Sequence, residues 1–415
     1  MALAAGLAGS APAQSLPSLG GAPSLDLPQL PLGVLGGAGD QALSDARGLL
    51  DPDRLTGLRR LRLDGLVRAN PRALDVDDAG APVVRGEVLA ISPTPAALEI
   101  ARQAGFTVAR RTSLAALGVE LVVMSAPEGT SARQALKLLR GRDPAGRYDL
   151  DHIYSPAGAV DQMATRNAAP APGGGDAKVR VGLLDTGVAR DHPAFAESRI
   201  EQRGFAPGGV KVADHGAAVA SLMVGHTARF SGAAPGATLF AADVYGSGPA
   251  GGSADAIARA LSWMAENHIG VVNVSLVGPA NLTLEVAVEA LLARGALIVA
   301  PVGNDGPAAP PLYPASYPGV IAVTAVDERG RTLFEAGRAS HVDFAAPGAG
   351  VQAARAGGGF ARVRGTSFAA PIVAGRLALW LREPDPARAA AAKARLAAEA
   401  RAGRGAIRPP PAMGR

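Results

Sequence analysis

Three residues stand where a side chain can do nucleophilic chemistry. Val181-Gly182-Leu183-Leu184-Asp185-Thr186-Gly187 drives an apolar strand straight into a carboxylate. Asp214-His215-Gly216 opens a small-residue helix over 217–224. Gly365-Thr366-Ser367-Phe368-Ala369-Ala370-Pro371 opens another that runs to about residue 381. A serine hydroxyl is a poor nucleophile until an imidazole takes its proton. That imidazole in turn needs a buried carboxylate to fix its tautomer and stabilise the imidazolium. A serine at a helix start also offers free N–H groups and the positive end of the helix dipole to a developing oxyanion. Pro371 suits the first turn, where N–H groups have no intrahelical partner to lose. Singly, Asp-Thr-Gly is common turn chemistry and Ser367 an ordinary helix cap. Together the three residue types read as acyl transfer.

In their order along the chain (Asp, His, Ser) these residues resemble the subtilisin family of serine peptidases. Asp185-Thr-Gly, His215-Gly, Val302-Gly-Asn304-Asp-Gly and Gly365-Thr-Ser367-x-Ala-x-Pro are similar to four signature segments of that family, spread over about 178–383. The resemblance implies that Ser367 attacks a peptide carbonyl, His215 takes its proton and Asp185 orients His215. It also implies that the Asn304 amide and the Ser367 N–H bind the oxyanion. Gly246-Ser247-Gly248 and Ser275-Leu276-Val277-Gly278 then flank an extended substrate, bound as an added strand. Residues 275–278 and Pro301-Val302-Gly303 wall the pocket for the residue before the scissile bond. Val277 and Pro301 stand where the family commonly has glycine and alanine. Their bulk predicts a preference for Ala, Val or Leu there, unless Val277 turns outward and leaves the pocket broad. Ala217-Ala218 replace the family's usual Thr, often followed by His, which costs a local hydroxyl hydrogen bond but no triad member.

Two other classes of function compete. A peptidase-like domain that has lost activity could serve as a binding or scaffold protein, although all four chemical residues are present. Gly246-x-Gly248-x-x-Gly251 lies between a strand and a helix like a dinucleotide fingerprint, but the next strand offers Asn273 and Ser275 and no carboxylate for a ribose.

The elements that must position these residues follow from periodicity. Apolar β-like runs at 179–184, 238–245, 270–276, 296–302 and 320–326 alternate with helical spacing at 255–267 and 284–294, which predicts an α/β domain with a buried parallel sheet flanked by helices over 178–383. Residues 83–156 read βαββαβ, a small ferredoxin-like α+β unit. By position it resembles the family's pro-segments, which pack on the peptidase, assist its folding and lay their last residues through the cleft. The chain's own pro-segment is thus an expected partner, beside protein or peptide substrates. Residues 157–177 lose periodicity and read as a flexible linker, with self-processing expected between about Tyr154 and Ala177. Residues 14–82 read as a Pro/Gly-rich linker followed by short helices over 43–70 interrupted by Gly57 and Gly65. Residues 384–415 read as an Ala/Arg-rich helix and tail with a solvated face.

Composition removes several classes. The net charge of +5 resides from Arg382 onward, so no basic stripe covers the main body and no nucleic-acid partner is expected. There is no cysteine, hence no disulfide or thiolate site. No apolar run reaches the roughly 18–20 residues of a membrane span. Residues 1–13 end in Ala11-Pro12-Ala13, a small-x-small cleavage pattern, and read as part of a signal peptide, with secreted or periplasmic localisation. No cofactor is expected. Residues 223–230, where many family members carry a longer calcium loop, supply no carboxylate, so calcium is not expected there although a site elsewhere stays possible. His192 reads as structural, and His152, His226, His268 and His341 lack zinc-site spacing.

Overall fold

In the computed structural model, residues 52–160, 176, 178–228, 230–402 and 406–407 are described. The expected signal segment, residues 14–51 and most of the expected linker lie outside them. Helix α1 (Pro52–Ala69) comes first. It runs unbroken through Gly57 and Gly65, where short interrupted helices were expected. Each internal glycine costs about 1 kcal/mol relative to alanine, which tertiary contacts can offset. Here Arg59 of α1 pairs with Asp305 at 2.7 Å, both side chains largely buried.

A five-stranded sheet follows: β1 (Leu74–Val76), β2 (Pro82–Ile91), α2 (Pro95–Gln103), β3 (Thr107–Leu114), β4 (Val119–Ser125), α3 (Ala132–Arg142) and β5 (Tyr148–His152). Its order is β3-β4-β2-β5, antiparallel throughout, with β1 on the first residues of β2. That is the ferredoxin-like order. Local signals start both helices: Thr94 accepts the Ala97 N–H, and Ser131 with Gln134 forms a capping box. The central strands carry unbroken apolar runs because both sheet faces are covered. Val88, Ala90, Val122 and Met124 join the small core under α2 and α3. Leu89, Ile91, Leu121 and Val123 face the other way and join the main core.

The chain then continues through β6 (Ser155–Pro156), β7 (Ala159–Val160), β8 (Arg180–Asp185), β9 (Ile200–Gly204), α4 (Asp214–Val224), β10 (His226–Thr227), β11 (Phe230–Ser231) and β12 (Thr238–Asp243). Next come α5 (Ala254–Glu266), β13 (Val271–Val274), β14 (Leu276–Val277), α6 (Leu282–Ala293), β15 (Leu297–Pro301) and β16 (Ile321–Val326). The described chain finishes with β17 (Phe344–Pro347), β18 (Ala349–Ala354), β19 (Phe360–Arg364), α7 (Ala370–Ala378) and α8 (Pro386–Ala402). Seven strands form one parallel sheet in the order β17-β16-β15-β13-β8-β12-β9. Its central members are buried along their whole length except for Arg180 at the start of β8, as a sheet covered on both faces requires. The two edges, β9 and β17, carry mixed sequences with partly exposed residues and gave no periodic signal.

The expected C-terminal helix forms with one exposed face, but its other face is buried. Ala389, Ala392 and Leu396 of α8 belong to the main core, and Ile407, 1% exposed, donates its N–H to the Ala345 carbonyl on the β17 edge. The α/β domain therefore extends beyond residue 383. In a Ser367→Ala background, Leu396→Ala should cost about 2–5 kcal/mol of stability, whereas the exposed Arg388→Ala should stay within about 0.5 kcal/mol. Urea midpoints would check this, and equal midpoints would mean that α8 is only tethered.

Candidate active site

Asp185 ends β8 with no exposed surface, and both its oxygens accept from His215 Nδ1, at 2.8 and 2.9 Å. Oδ1 also accepts the Thr186 N–H at 2.7 Å. Thr186 Oγ1 in turn accepts the Gly216 N–H at 2.9 Å, tying the two motifs together. A side chain at Gly216 would run into the Thr186 carbonyl, which explains the glycine after His215. The imidazole lies against the ring of Phe368, with centroids 5.3 Å apart.

Ser367 sits in a 3-10 turn, Thr366–Phe368, immediately before α7, whose first turn contains Pro371. Its N–H donates to the Ala157 carbonyl at 3.0 Å. Its Oγ accepts the Ala157 N–H at 3.1 Å and lies 3.5 Å from the Ser275 carbonyl. His215 Nε2 has no hydrogen-bond partner among the described residues. The expected Ser367–His215 hydrogen bond is therefore not made here, and the hydroxyl is directed at the Ser275 carbonyl instead. Asn304 is anchored by Oδ1, which accepts the Thr366 N–H at 2.9 Å. Its Nδ2 has no hydrogen-bond partner among the described residues and lies 2.9 Å from the position of a Cβ on Gly365, beside the Ala157 carbonyl.

Residues 153–160 thus run through the cleft as an extended strand. The Tyr154 N–H donates to Gly252 O at 2.8 Å, and Ile153 bridges Ser253. Ser155 and Pro156 pair antiparallel with Val277 and Leu276, and Ala159 and Val160 pair with Arg364 and Val363 of β19. The tyrosine side chain is fully buried and donates its hydroxyl to Pro279 O at 2.7 Å. Residues 157–160 are hence not part of a flexible linker, and the start of the expected processing window from Tyr154 is not exposed. Main-chain pairing to both edges of the cleft fixes them. Gly246, Ser247 and Gly248 do not supply the main-chain bond on the first edge; Gly252 does. The Asp243 carboxylate accepts the Tyr245 and Gly246 N–H groups and turns the chain away, and Ser247 donates its N–H to Pro207 O. A Cβ at Gly246 or Gly251 would meet backbone oxygens, so these glycines face protein rather than a phosphate.

On the other edge, Ser275 Oγ donates to Ser367 O at 3.2 Å and Gly303 N–H to Thr366 Oγ1 at 3.2 Å, bringing both expected walls beside the serine. Pro301 ends β15, and the Val302 N–H donates to Val323 O. A methyl of Val277 lies 3.8 Å, and one of Leu312 2.6 Å, from a Cβ position at Gly303, so both side chains converge there. Leu312 is a wall residue that the sequence did not single out. His192 is buried, accepting the Ala194 N–H through Nδ1 and bonding Gly359 O through Nε2 at 2.9 Å. Among the described residues no group of three or more His, Asp or Glu is placed to hold a metal, and no helix is long and apolar enough to cross a membrane.

Residues 176–409 match the model of the subtilase family of S8 peptidases. Subtilisin Savinase of Lederbergia lenta is 37% identical over 210 residues, 48% of this chain and 75% of its own length. Subtilisin E of Bacillus subtilis is 31% identical over 276 residues, 62% of this chain and 71% of its own length. Among solved structures, fervidolysin of Fervidobacterium pennivorans aligns with TM-score 0.60 at 19% identity, covering 74% of this chain and 56% of that one, a likeness of fold.

Sequence reasoning missed Asp149 and Asp151. Spaced two apart on β5, they point the same way, and each reaches the start of a helix in the peptidase fold. Asp149 Oδ2 accepts the Leu282 N–H at 2.6 Å, and Asp151 Oδ1 accepts the Asp255 N–H at 3.0 Å. Both thereby cap helix N-termini across the interface. The alternation Tyr148-Asp149-Leu150-Asp151-His152 was the available signal. Asp151 is fully buried, and burial, then the neighbouring charge of Asp255, raises its carboxyl well above the usual range. Burial raises Glu87 in the same direction. Arg110 and Arg259 both pair with Asp255 rather than Asp151. A carboxyl raised in the folded state contributes stability fully below its unfolded value, about 4, and loses it as pH rises through the folded value. Ser367→Ala protein should therefore melt at falling temperature as pH rises above that range, and adding Asp151→Asn should flatten the slope. An unchanged slope would show that Asp151 is not the titrating group.

Proposed function

We propose that this chain, which belongs to the subtilase family of serine peptidases, cuts itself between Ala157 and Gly158 and then cuts other proteins with the same residues. It is a subtilisin-type serine endopeptidase acting on protein or peptide substrates. One observation carries the finer reading: the Ala157 carbonyl rests on the Ser367 N–H at 3.0 Å with the strand held on both sides. That is the posture of a substrate whose next bond is to be broken.

Ser367 Oγ, once its proton turns from the Ser275 carbonyl to His215 Nε2, attacks the Ala157 carbonyl carbon while His215 takes that proton. Asp185, bonded to Nδ1, keeps the other nitrogen free as a base and stabilises the imidazolium. The Ser367 N–H and Asn304 Nδ2 receive the charge that develops on the carbonyl oxygen. His215 returns its proton to the Gly158 nitrogen, which leaves. Water then releases the acyl group by the reverse proton path. Residues 74–157 act as the pro-segment, remaining docked as an inhibitor after the cut. The small-x-small pattern at Ala11–Ala13 supports export of the precursor.

Wild-type protein should acquire Gly158 as a new N-terminus, and Ser367→Ala should stay full length. Ser367 or His215 to Ala should lower turnover about 10⁶-fold and Asn304→Ala about 10²–10³-fold, the scale established for subtilisin itself. N-terminal sequencing with peptide kinetics would check this. A wild-type chain that is neither cut nor labelled by a fluorophosphonate would favour the inactive scaffold instead.

The convergence of Val277 and Leu312 on Gly303 supports a shallow pocket before the scissile bond, filled by Ala157 in the precursor. No charged residue stands in either wall, so a charged side chain would enter unpaired. Peptide-library profiling should give cleavage after Ala, Val or Leu, and Val277→Gly should shift it towards Phe and Tyr. Dominant cutting after Phe, Tyr or Arg by the wild type would remove the role given to Val277.

A further inference from the structure

The residue after the proposed cut is as tightly constrained as the one before it, by a side chain to which no role has been given. Gly158 has φ +152°, a backbone conformation that residues with a Cβ rarely adopt. A Cβ built there would lie 2.6 Å from Phe368 Cε2, 3.2 Å from Phe368 Cδ2 and 3.3 Å from Arg364 O. Phe368 cannot yield easily. It has no exposed surface, is fixed in the Ser367 turn, and its ring lies against His215. The strand cannot yield easily either. Ala157 is held through both its N–H and its carbonyl by Ser367, and Ala159 is held by Arg364 on β19. One residue must connect these anchors, and it must do so across the face of an aromatic ring.

We propose that Phe368 restricts the residue after the scissile bond to glycine, so that the enzyme cuts extended segments in which a small apolar residue is followed by glycine. This rests on reading the cleft as the peptidase site with Ala157–Gly158 across it. The two constraints belong to one backbone conformation: the pairing on both sides sets φ at +152°, and at that φ a Cβ would meet the ring. They act at one defined step. When an amine attacks the acyl-enzyme in the reverse direction, its nitrogen bonds to the acyl carbon, the Ser367 Oγ–acyl bond breaks, and His215 carries the amine's proton to Oγ. The amine's first residue must then occupy the Gly158 position.

The test uses mature wild-type enzyme, the peptides Tyr-Ser-Pro-Ala-Xaa-Ala-Val with Xaa as Gly, Ala, Ser or Leu, and the thioester of Tyr-Ser-Pro-Ala. Glycine should exceed alanine in kcat/KM by about ten- to hundredfold, the scale of one strained backbone position. Glycinamide should likewise capture the acyl-enzyme formed from the thioester ahead of alaninamide. Phe368→Ala and Phe368→Leu should narrow both ratios, and a ratio within one enzyme cancels any general loss of activity from the His215 contact. Equal cleavage of the four peptides by the wild type, or a full glycine preference in Phe368→Ala, would overturn the proposal. The thioester carries no residue after the bond, so failure to hydrolyse it would instead overturn the reading of the cleft itself.

Discussion

A single extended strand, residues 153–160, is held by main-chain hydrogen bonds on both sides of Ser367, and most of the site's arrangement follows from that. The bonds come from Gly252, from β14, from the serine itself and from β19. They are backbone bonds, so they position any extended peptide and select none in particular. Selection falls to the few places where a side chain or its absence matters. The tyrosine hydroxyl reaches Pro279 O, Ala157 meets a shallow pocket, and Gly158 passes under Phe368. In this arrangement the serine hydroxyl accepts the Ala157 N–H and is directed at the Ser275 carbonyl, and His215 Nε2 has no partner among the described residues.

The strand stays in place because the sheet before it is docked over a wide apolar area. Leu89, Ile91, Leu121 and Val123 are buried against the peptidase fold. Exposing each would cost about 1.5–3 kcal/mol. Asp149 and Asp151 add caps to α6 and α5 beside those helices' own N-cap residues, Asn281 and Ser253. Helix α1 adds a further contact at Asp305, the neighbour of Asn304. Apolar burial supplies most of the affinity, and the two carboxylates fix how the sheet is set on the helices.

Parallel strand order explains how residues so distant in sequence meet. β8, β13 and β15 are neighbours and run the same way, so their carboxyl ends deliver Asp185, Ser275 and the Gly303–Asn304 turn to one edge. Helices α4 and α7 begin beside that edge with His215 and Ser367. A parallel sheet needs crossover connections, which is why about 180 residues separate Asp185 from Ser367.

The sequence by itself carried the three residues proposed to react, their order and the buried parallel sheet. Asp-Thr-Gly, His-Gly and Gly-Thr-Ser each answer to a local demand (a strand end, a close approach, a helix start), and central strands must be apolar throughout. It also carried the βαββαβ pattern of residues 83–156, since caps and periodicity are local. Tertiary structure alone decided which partner each apolar face would meet. Alternate residues of one apolar run serve two different cores, and nothing in the run distinguishes them. It decided that α1 continues through two glycines, that one face of α8 joins the core, and that residues 157–160 are a bound strand rather than a linker. A short stretch such as Tyr154-Ser-Pro-Ala-Gly158 has no pattern of its own. Its conformation is imposed by edges supplied from residues about 90 to 210 positions away, and interactions at such separations leave no periodic trace in the chain that receives them.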